Sequence, residues 1–305
     1  MSVSASLVKE LREKTGAGMM DCKKALLETN GNFEEAVDWL RTKGLAAAAK
    51  KSSRVASEGL TAVSVNGNRA AIIEINSETD FVSRNELFQN LVREVAEIAV
   101  NVDDIQSLKS SKAKSGKTIE DEIIANVATI GENLTLRRMQ SLSVNDGVIA
   151  SYVHNAPAEN MGTISVIVAL ESTGDKAVLL DAGRKLAMHI AAAKPQSLNK
   201  ENVDPELIER EKNIFTEQSR ASGKPDNIIE KMIEGRIRKF LEEIVLLDQI
   251  YVIDGKSKIS EVIADLSKQV NATVVLKSYV KYETGEGIEK EETNFADEVA
   301  AVVKG

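Results

Sequence analysis

Cysteine, histidine, proline and aromatic residues are all scarce in this 305-residue chain, which has one Cys, two His, four Pro and 4% aromatics. The single Cys22 excludes an intramolecular disulfide framework, and with His154 and His189 it cannot supply the usual tetrahedral Cys/His zinc set. That usage fits the reducing cytoplasm, where the chain is expected to work. No stretch approaches the roughly 18 apolar residues that span a membrane, and the first residues lack the charged and apolar regions of a signal peptide. A basic excess is missing too: 39 Lys+Arg stand against 47 Asp+Glu, a net charge of -8. This argues against general nucleic-acid binding, which needs a concentrated basic face for phosphate contacts.

The 43% apolar content is enough for ordinary cores, and at about 150 residues per domain the length favours two or more domains. Charge is unevenly placed. Residues 1–54 hold ten Lys/Arg and seven Asp/Glu, whereas residues 283–305 hold two Lys and seven Asp/Glu. Ends of opposite sign suit docking on a protein partner.

Residues 4–50 read as three short helices. Leu7, Val8 and Leu11 share one face of the first, and Thr15-Gly16-Ala17-Gly18 breaks it. Cys22, Ala25 and Leu26 point inward on the second, from Asp21 to Thr29. Asn30-Gly31 is a stop signal, and Asn32 to Glu35 has the form of a capping box opening a third helix with Phe33, Ala36, Val37 and Leu40 on one face. This small bundle resembles a ubiquitin-associated (UBA) domain, with residues 44–58 as a helical tail grading into a linker.

Beyond residue 58 the period changes. Leu60–Val65 and Arg69–Asn76, joined at Asn66-Gly67-Asn68, read as a β-hairpin followed by a helix over about 85–100, a polar loop over 103–118 and a helical pattern over 119–140. The order returns with a hairpin over 147–153 and 163–172 and a helix over about 178–193. Aligning Gly59 with Gly147 points to an internal duplication. Asp204-Pro205 opens a helix to about Ser222, and Ser222-Gly223-Lys224-Pro225 turns into another over 226–247, forming an αα-hairpin. Strands at 251–253 and 272–280 flank a helix at 259–269, and residues 295–303 read as a last amphipathic helix.

Catalytic signatures are broken. Gly116-Lys117-Thr118 lacks the upstream glycine and strand of a P-loop, since position 111 is Ser. Gly16-Ala17-Gly18-Met19-Met20-Asp21 follows a helix and has Asp where a dinucleotide fingerprint needs its third Gly. No Gly-x-Ser-x-Gly elbow occurs. His189 reads as a packed core residue, and His154, two after Tyr152 beside a turn, as a contact residue.

Asn76-Ser77-Glu78-Thr79-Asp80-Phe81-Val82-Ser83-Arg84-Asn85 joins strand to helix, with Ser83 and Glu86 able to form a capping box. Spacing leaves two readings: a hydrophobic staple through Phe81 or Val82, or a protruding acid–aromatic pair that enters a partner. Leu11–Leu26 and Glu78–Val82 resemble the two signatures of the translation elongation factor Ts family. The likeness continues through Ile130–Arg138, Tyr152-Val153-His154, Ala187–Pro195, Ser222–Pro225, Glu230–Arg236 and Gly285–Lys290, in order over nearly the whole chain. Ser77 stands where Cys is common, and the turn after His154 is several residues longer than usual.

The resemblance implies an α+β fold: an N-terminal three-helix UBA-like bundle, a pseudo-symmetric core of two antiparallel-sheet-plus-helix subdomains, a protruding antiparallel helical hairpin and a C-terminal helix. The corresponding division is 1–54 for the bundle and linker, 55–142 and 143–197 with 247–282 for the core halves, 198–246 for the coiled-coil arm and 283–305 for the C-terminal module. It implies a guanine-nucleotide exchange factor for elongation factor Tu, GDP-bound or nucleotide-free, promoting release of GDP and Mg²⁺ without covalent chemistry, metal or cofactor of its own. Thr79, Asp80, Phe81 and Val82 would act beside the partner's Mg²⁺ site. Arg12, Met19, Met20 and Lys23 would touch its G domain, Tyr152 and His154 another domain. Direct nucleic-acid or membrane contact is not expected, and the arm could pair two copies. Two other classes compete: a UBA-type adaptor, for which residues 1–50 would suffice, and a phosphate-handling enzyme, which the broken motifs disfavour.

Overall fold

Short runs with apolar residues on one face give three opening helices, α1 (Ala5–Thr15), α2 (Met19–Glu28) and α3 (Phe33–Lys51). The computed structural model describes residues 3–15, 17–220 and 226–289. Val8, Leu11, Cys22, Ala25, Leu26 and Ala36 bury each other in the bundle. Asn32 caps α3: the Glu35 N–H donates to its Oδ1, and its Nδ2 donates to Glu35 Oε1 at 2.8 Å.

The hairpin β1 (Glu58–Asn66) and β2 (Arg69–Ser77) leads to α4 (Glu86–Ala99), α5 (Ile105–Ser110), α6 (Ile119–Ile130) and β3 (Thr135–Ser143). The chain then repeats a strand pair, β4 (Gly147–His154) and β6 (Ile164–Glu171), with the two-residue β5 (Met161–Gly162) between them, and continues into α7 (Lys176–Ala193). An antiparallel pair follows, α8 (Pro205–Arg220) and α9 (Asp226–Ile244), then α10 (Ile259–Gln269) and β7 (Val275–Glu283). One sheet runs β3-β2-β1-β5 and the other β4-β6-β7. Their facing sides bury Val63, Ile72, Ile149, Ile167, Val280 and Tyr282. Helices α4 and α6 cover the far side of the first sheet, and α7 and α10 that of the second. The layers are thus helix, sheet, sheet, helix.

Each sheet places the second hairpin strand between its hairpin partner and a strand that arrives after helices. Gly59 lies opposite Asn76 and Gly147 opposite Glu171, with φ of 118° and 141°. A Cβ there would sit 2.2 Å from the Ile75 carbonyl oxygen and 2.0 Å from that of Leu170, so only glycine fits at the second residue of β1 and the first of β4. Both ladders shift register at this level, between Glu74 and Ile75 and between Ala169 and Leu170.

Five local expectations change. The helical pattern over 119–140 ends at Ile130, where Gly131 takes a left-handed C-cap at φ 92°, and Thr135–Ser143 is a strand. Leu136, Met139 and Leu142 recur every three residues and mimic a helix, although the strand is only half buried. The loop over 103–118 contains α5, capped by Asp104, whose carboxylate accepts from the Gln106 and Ser107 N–H groups. Tyr251–Ile253 is a turn closed by the Gly255 N–H donating to the Tyr251 carbonyl, and the strand placed at 272–280 runs Val275–Glu283. Residues 44–58 are more than a tail: α3 runs to Lys51 along α6, Gly44 beside Ala128 and Ala48 against the first core. The turn at Ser222–Pro225 and the helix at 295–303 lie outside the described residues.

Candidate functional site

Ser77 ends β2, and the chain extends through Glu78 and Thr79 before Asp80–Arg84 forms a single 3₁₀ turn. Val82 is 5% exposed and packs in the first core with Phe88, whereas Phe81, one position earlier, is 79% exposed. The two readings of this segment therefore divide between neighbouring residues: Val82 anchors the turn inward and Phe81 projects. Asp80 is exposed beside it.

Capping differs from the Ser83–Glu86 box. Asn85 caps α4, its Oδ1 accepting from the Leu87 and Phe88 N–H groups at 2.9 and 3.3 Å. Ser83 Oγ instead donates to the Asp80 carbonyl at 2.6 Å, and Gln89 Nε2 donates to the Ser83 carbonyl at 2.9 Å. At the start of the turn, Ser77 Oγ donates to the Thr79 carbonyl at 2.9 Å. The Thr79 N–H and Oγ1 donate to the two carboxylate oxygens of Glu132 at 2.9 and 2.6 Å. Glu78 accepts from the Asn133 N–H at 2.6 Å and pairs with Arg54 at 3.4 Å. Glu132, Asn133 and Arg54 were not singled out from the sequence, because their partners are far along the chain. The only signal was that Glu132 and Asn133 lie in the block Ile130–Arg138.

The other expected contact residues lie on separate elements. Arg12 is exposed on α1. Met19 and Met20 are 56% and 74% exposed at the start of α2, so neither has a core role. Met20, Lys23 and Leu27 follow at i, i+3 and i+7, giving an exposed strip in which Leu27 carries no motif in the sequence. Cys22 faces the bundle core, where burial pushes its thiol pKa up. On β4, Tyr152 Oη and His154 Nδ1 are 2.9 Å apart, and His154 is exposed. The long turn after His154 reverses through Asn155 and Asn160, both at positive φ, and ends in β5, which pairs with Thr61 and Ala62 of β1. β5 thereby forms an edge of the first sheet. A further exposed apolar group, Ile250, Val252 and Ile253, follows the arm and had no motif to mark it.

His189 behaves as the core residue expected. It is fully buried, Nε2 facing Gln249 Oε1 at 2.9 Å while Nδ1 accepts from the Val252 N–H at 3.2 Å. Those partners define a neutral ring with its proton on Nε2, and burial lowers its pKa. Among the described residues no group of three or more His, Cys, Asp or Glu could hold a metal ion, and no helix is long and apolar enough to cross a membrane.

The braced turn, the strip on α2 and the β4 pair all fall within stretches that known proteins share. The family described as "Elongation factor TS" matches residues 78–286. Elongation factor Ts of Rickettsia bellii (strain OSU 85-389) is 58% identical over 306 aligned positions, covering 100% of this chain and 99% of its own. That of Rickettsia felis (strain ATCC VR-1525 / URRWXCal2) is 57% identical, and that of Rickettsia typhi (strain ATCC VR-144 / Wilmington) 55%, each with the same coverage. With the turn of Thr79–Val82 inside the matched region and full-length likeness on both sides of it, the chain belongs to the elongation factor Ts family.

Proposed function

We propose that this protein is a guanine-nucleotide exchange factor for elongation factor Tu, acting in translation in the cytoplasm by binding rather than by covalent chemistry. The observation that carries the reading is Phe81, projecting from a short turn whose next residue, Val82, is buried. An aromatic ring on a rigid base enters a partner with little loss of side-chain freedom, the property of an interface anchor. In this role Phe81 inserts between packed helices of the GTPase and displaces the loops that hold its Mg²⁺ and phosphate. The neighbouring Asp80 carboxylate disfavours the former hydrogen-bond arrangement, and Thr79 and Val82 hold the turn.

Linkage makes the effect reciprocal. If the factor weakens GDP binding by some ratio, GDP weakens factor binding by the same ratio, so docking energy is what opens the nucleotide site. Arg12, Met19, Met20 and Lys23 supply docking from the bundle, the thioethers as adaptable apolar contacts. Tyr152 and His154 supply it from β4, each orienting the other through their hydrogen bond. The division into bundle, two core halves, arm and C-terminal module is proposed with this reading, as is self-association through the arm.

Release of fluorescent GDP from elongation factor Tu, with and without this protein, tests the reading. Acceleration is expected, and Phe81→Ala should slow release at saturation by about tenfold or more while shifting half-saturation less. Unchanged release by wild-type protein would sink the exchange reading. Full activity of Phe81→Ala would sink the wedge.

A further inference from the structure

The turn bearing Phe81 is held from outside as well as from within. From its contacts we propose that Glu132 is the positioning residue that sets the projection of Phe81, a role that rests on the exchange reading above. Both carboxylate oxygens are engaged by one residue: Oε2 accepts from the Thr79 N–H at 2.9 Å and Oε1 from Thr79 Oγ1 at 2.6 Å. Two parallel bonds from one residue to one carboxylate fix rotation as well as position, and an ionised acceptor makes them stronger than neutral bonds. Thr79 is the residue before the 3₁₀ turn, and its carbonyl accepts from Ser77 Oγ at 2.9 Å. Its peptide groups are thus held on both sides just ahead of Asp80 and Phe81.

Glu132 has a firm base of its own. Lys51 Nζ at the end of α3 donates to the carbonyl of Gly131. On the other side, the Asn133 N–H donates to Glu78 Oε1 at 2.6 Å and Asn133 Nδ2 to the Arg54 carbonyl at 2.8 Å. Residues 131–133 therefore connect the end of α6, the end of α3 and the exchange turn. A force on Phe81 from the partner passes into two helices instead of being absorbed by a yielding loop. Glutamine replaces Glu132 only in part: its Oε1 can accept from the Thr79 N–H and its Nε2 can donate to Thr79 Oγ1, but it lacks the charge that strengthens both bonds.

Stopped-flow release of fluorescent GDP from elongation factor Tu, over a range of concentrations of the full chain, separates maximal rate from half-saturating concentration. Glu132→Ala should lower the maximal rate about tenfold, the scale of one charge-assisted hydrogen bond, and shift half-saturation by less than about twofold. Thr79→Val, which keeps the shape and removes the hydroxyl donor, should lower the maximal rate in the same way, and Glu132→Gln should fall between Glu132→Ala and wild type. In a Phe81→Ala background, adding Glu132→Ala should cause no further loss, since the positioned ring is already gone. A wild-type maximal rate for Glu132→Ala, or losses that multiply in the double variant, would overturn the role while leaving exchange intact. No acceleration by wild-type protein would remove exchange itself.

Discussion

At the scale of single residues, buried polar groups carry consequences that measurement can separate. Glu74 is fully buried between the sheets' ends, where it pairs with Arg137 at 3.1 Å and with Arg138, and accepts from Asn76 Nδ2 and the Gly285 N–H. Burial pushes its pKa up, but the bond from Gly285, those from Asn76 and Arg138 and the Arg138 charge outweigh it and hold it below the ordinary Glu value. Glu74→Gln should cost about 2–3 kcal/mol in urea unfolding, below the ~3–5 kcal/mol of a fully buried pair because both guanidinium groups keep some solvent. His189 gives the opposite pH signature to a stabilising cation. Its folded pKa lies below the ordinary His value, so between the two the unfolded chain binds more protons. The stability is present above about pH 6.5 and is lost as pH falls toward the folded value. Protonation would also set an N–H against the Val252 N–H, which donates to Nδ1. Urea midpoints should therefore drop between about pH 7.5 and about pH 5.5 more for wild type than for His189→Gln. Equal drops would remove His189 as the cause.

At the scale of elements, the two halves of the core begin with the same constraint. Gly59→Ala and Gly147→Ala each place a Cβ within 2.2 Å of a carbonyl oxygen at positive φ. Each should cost at least about 3 kcal/mol, strain and overlap together. Gly67→Ala, also at positive φ but with nothing within 4 Å, should cost only about 1–2 kcal/mol. Thermal melts of the three variants check the ranking. The shared glycine was legible in the sequence because a Gly just ahead of a strand-like apolar run recurs at 59 and 147. Phe81 was legible only in part: the acid–aromatic pair between a strand and a helix marked the segment, but spacing left a staple through Phe81 or Val82 and a projecting pair both open. The brace was not legible: Glu132 lies 53 residues from Thr79, and nothing local to it reads as a cap or ligand. Nor was β3, where Arg137 and Arg138 bond to Glu74 across the sheet and so leave a strand without clean apolar alternation.

At the scale of the whole molecule, α3 decides whether the bundle and the turn bearing Phe81 act as one body or two. It runs along α6 with Gly44 beside Ala128 and Arg41 paired with Asp121 at 3.2 Å, and α6 ends at the segment that holds Thr79. The strip of Met20, Lys23 and Leu27 is thereby held at a fixed relation to Phe81. Rigidly linked contacts bind with a high effective concentration for the second once the first has formed. The strip and the turn should therefore fail differently. Deleting residues 1–32 removes α1 and α2 with the docking surface proposed on them and keeps Lys51 and Arg54, the base of Glu132, while the two sheets keep the core between them. Half-saturation for elongation factor Tu should rise about a hundredfold, the lower range of such linkage, while the maximal rate of GDP release falls less than about threefold. Phe81→Ala should show the reverse, a low maximal rate with little change in half-saturation. Titrations of both variants against the same GDP-loaded partner provide the comparison. If the deletion lowers the maximal rate as much as the loss of Phe81 does, the bundle takes part in opening the nucleotide site and is more than a dock.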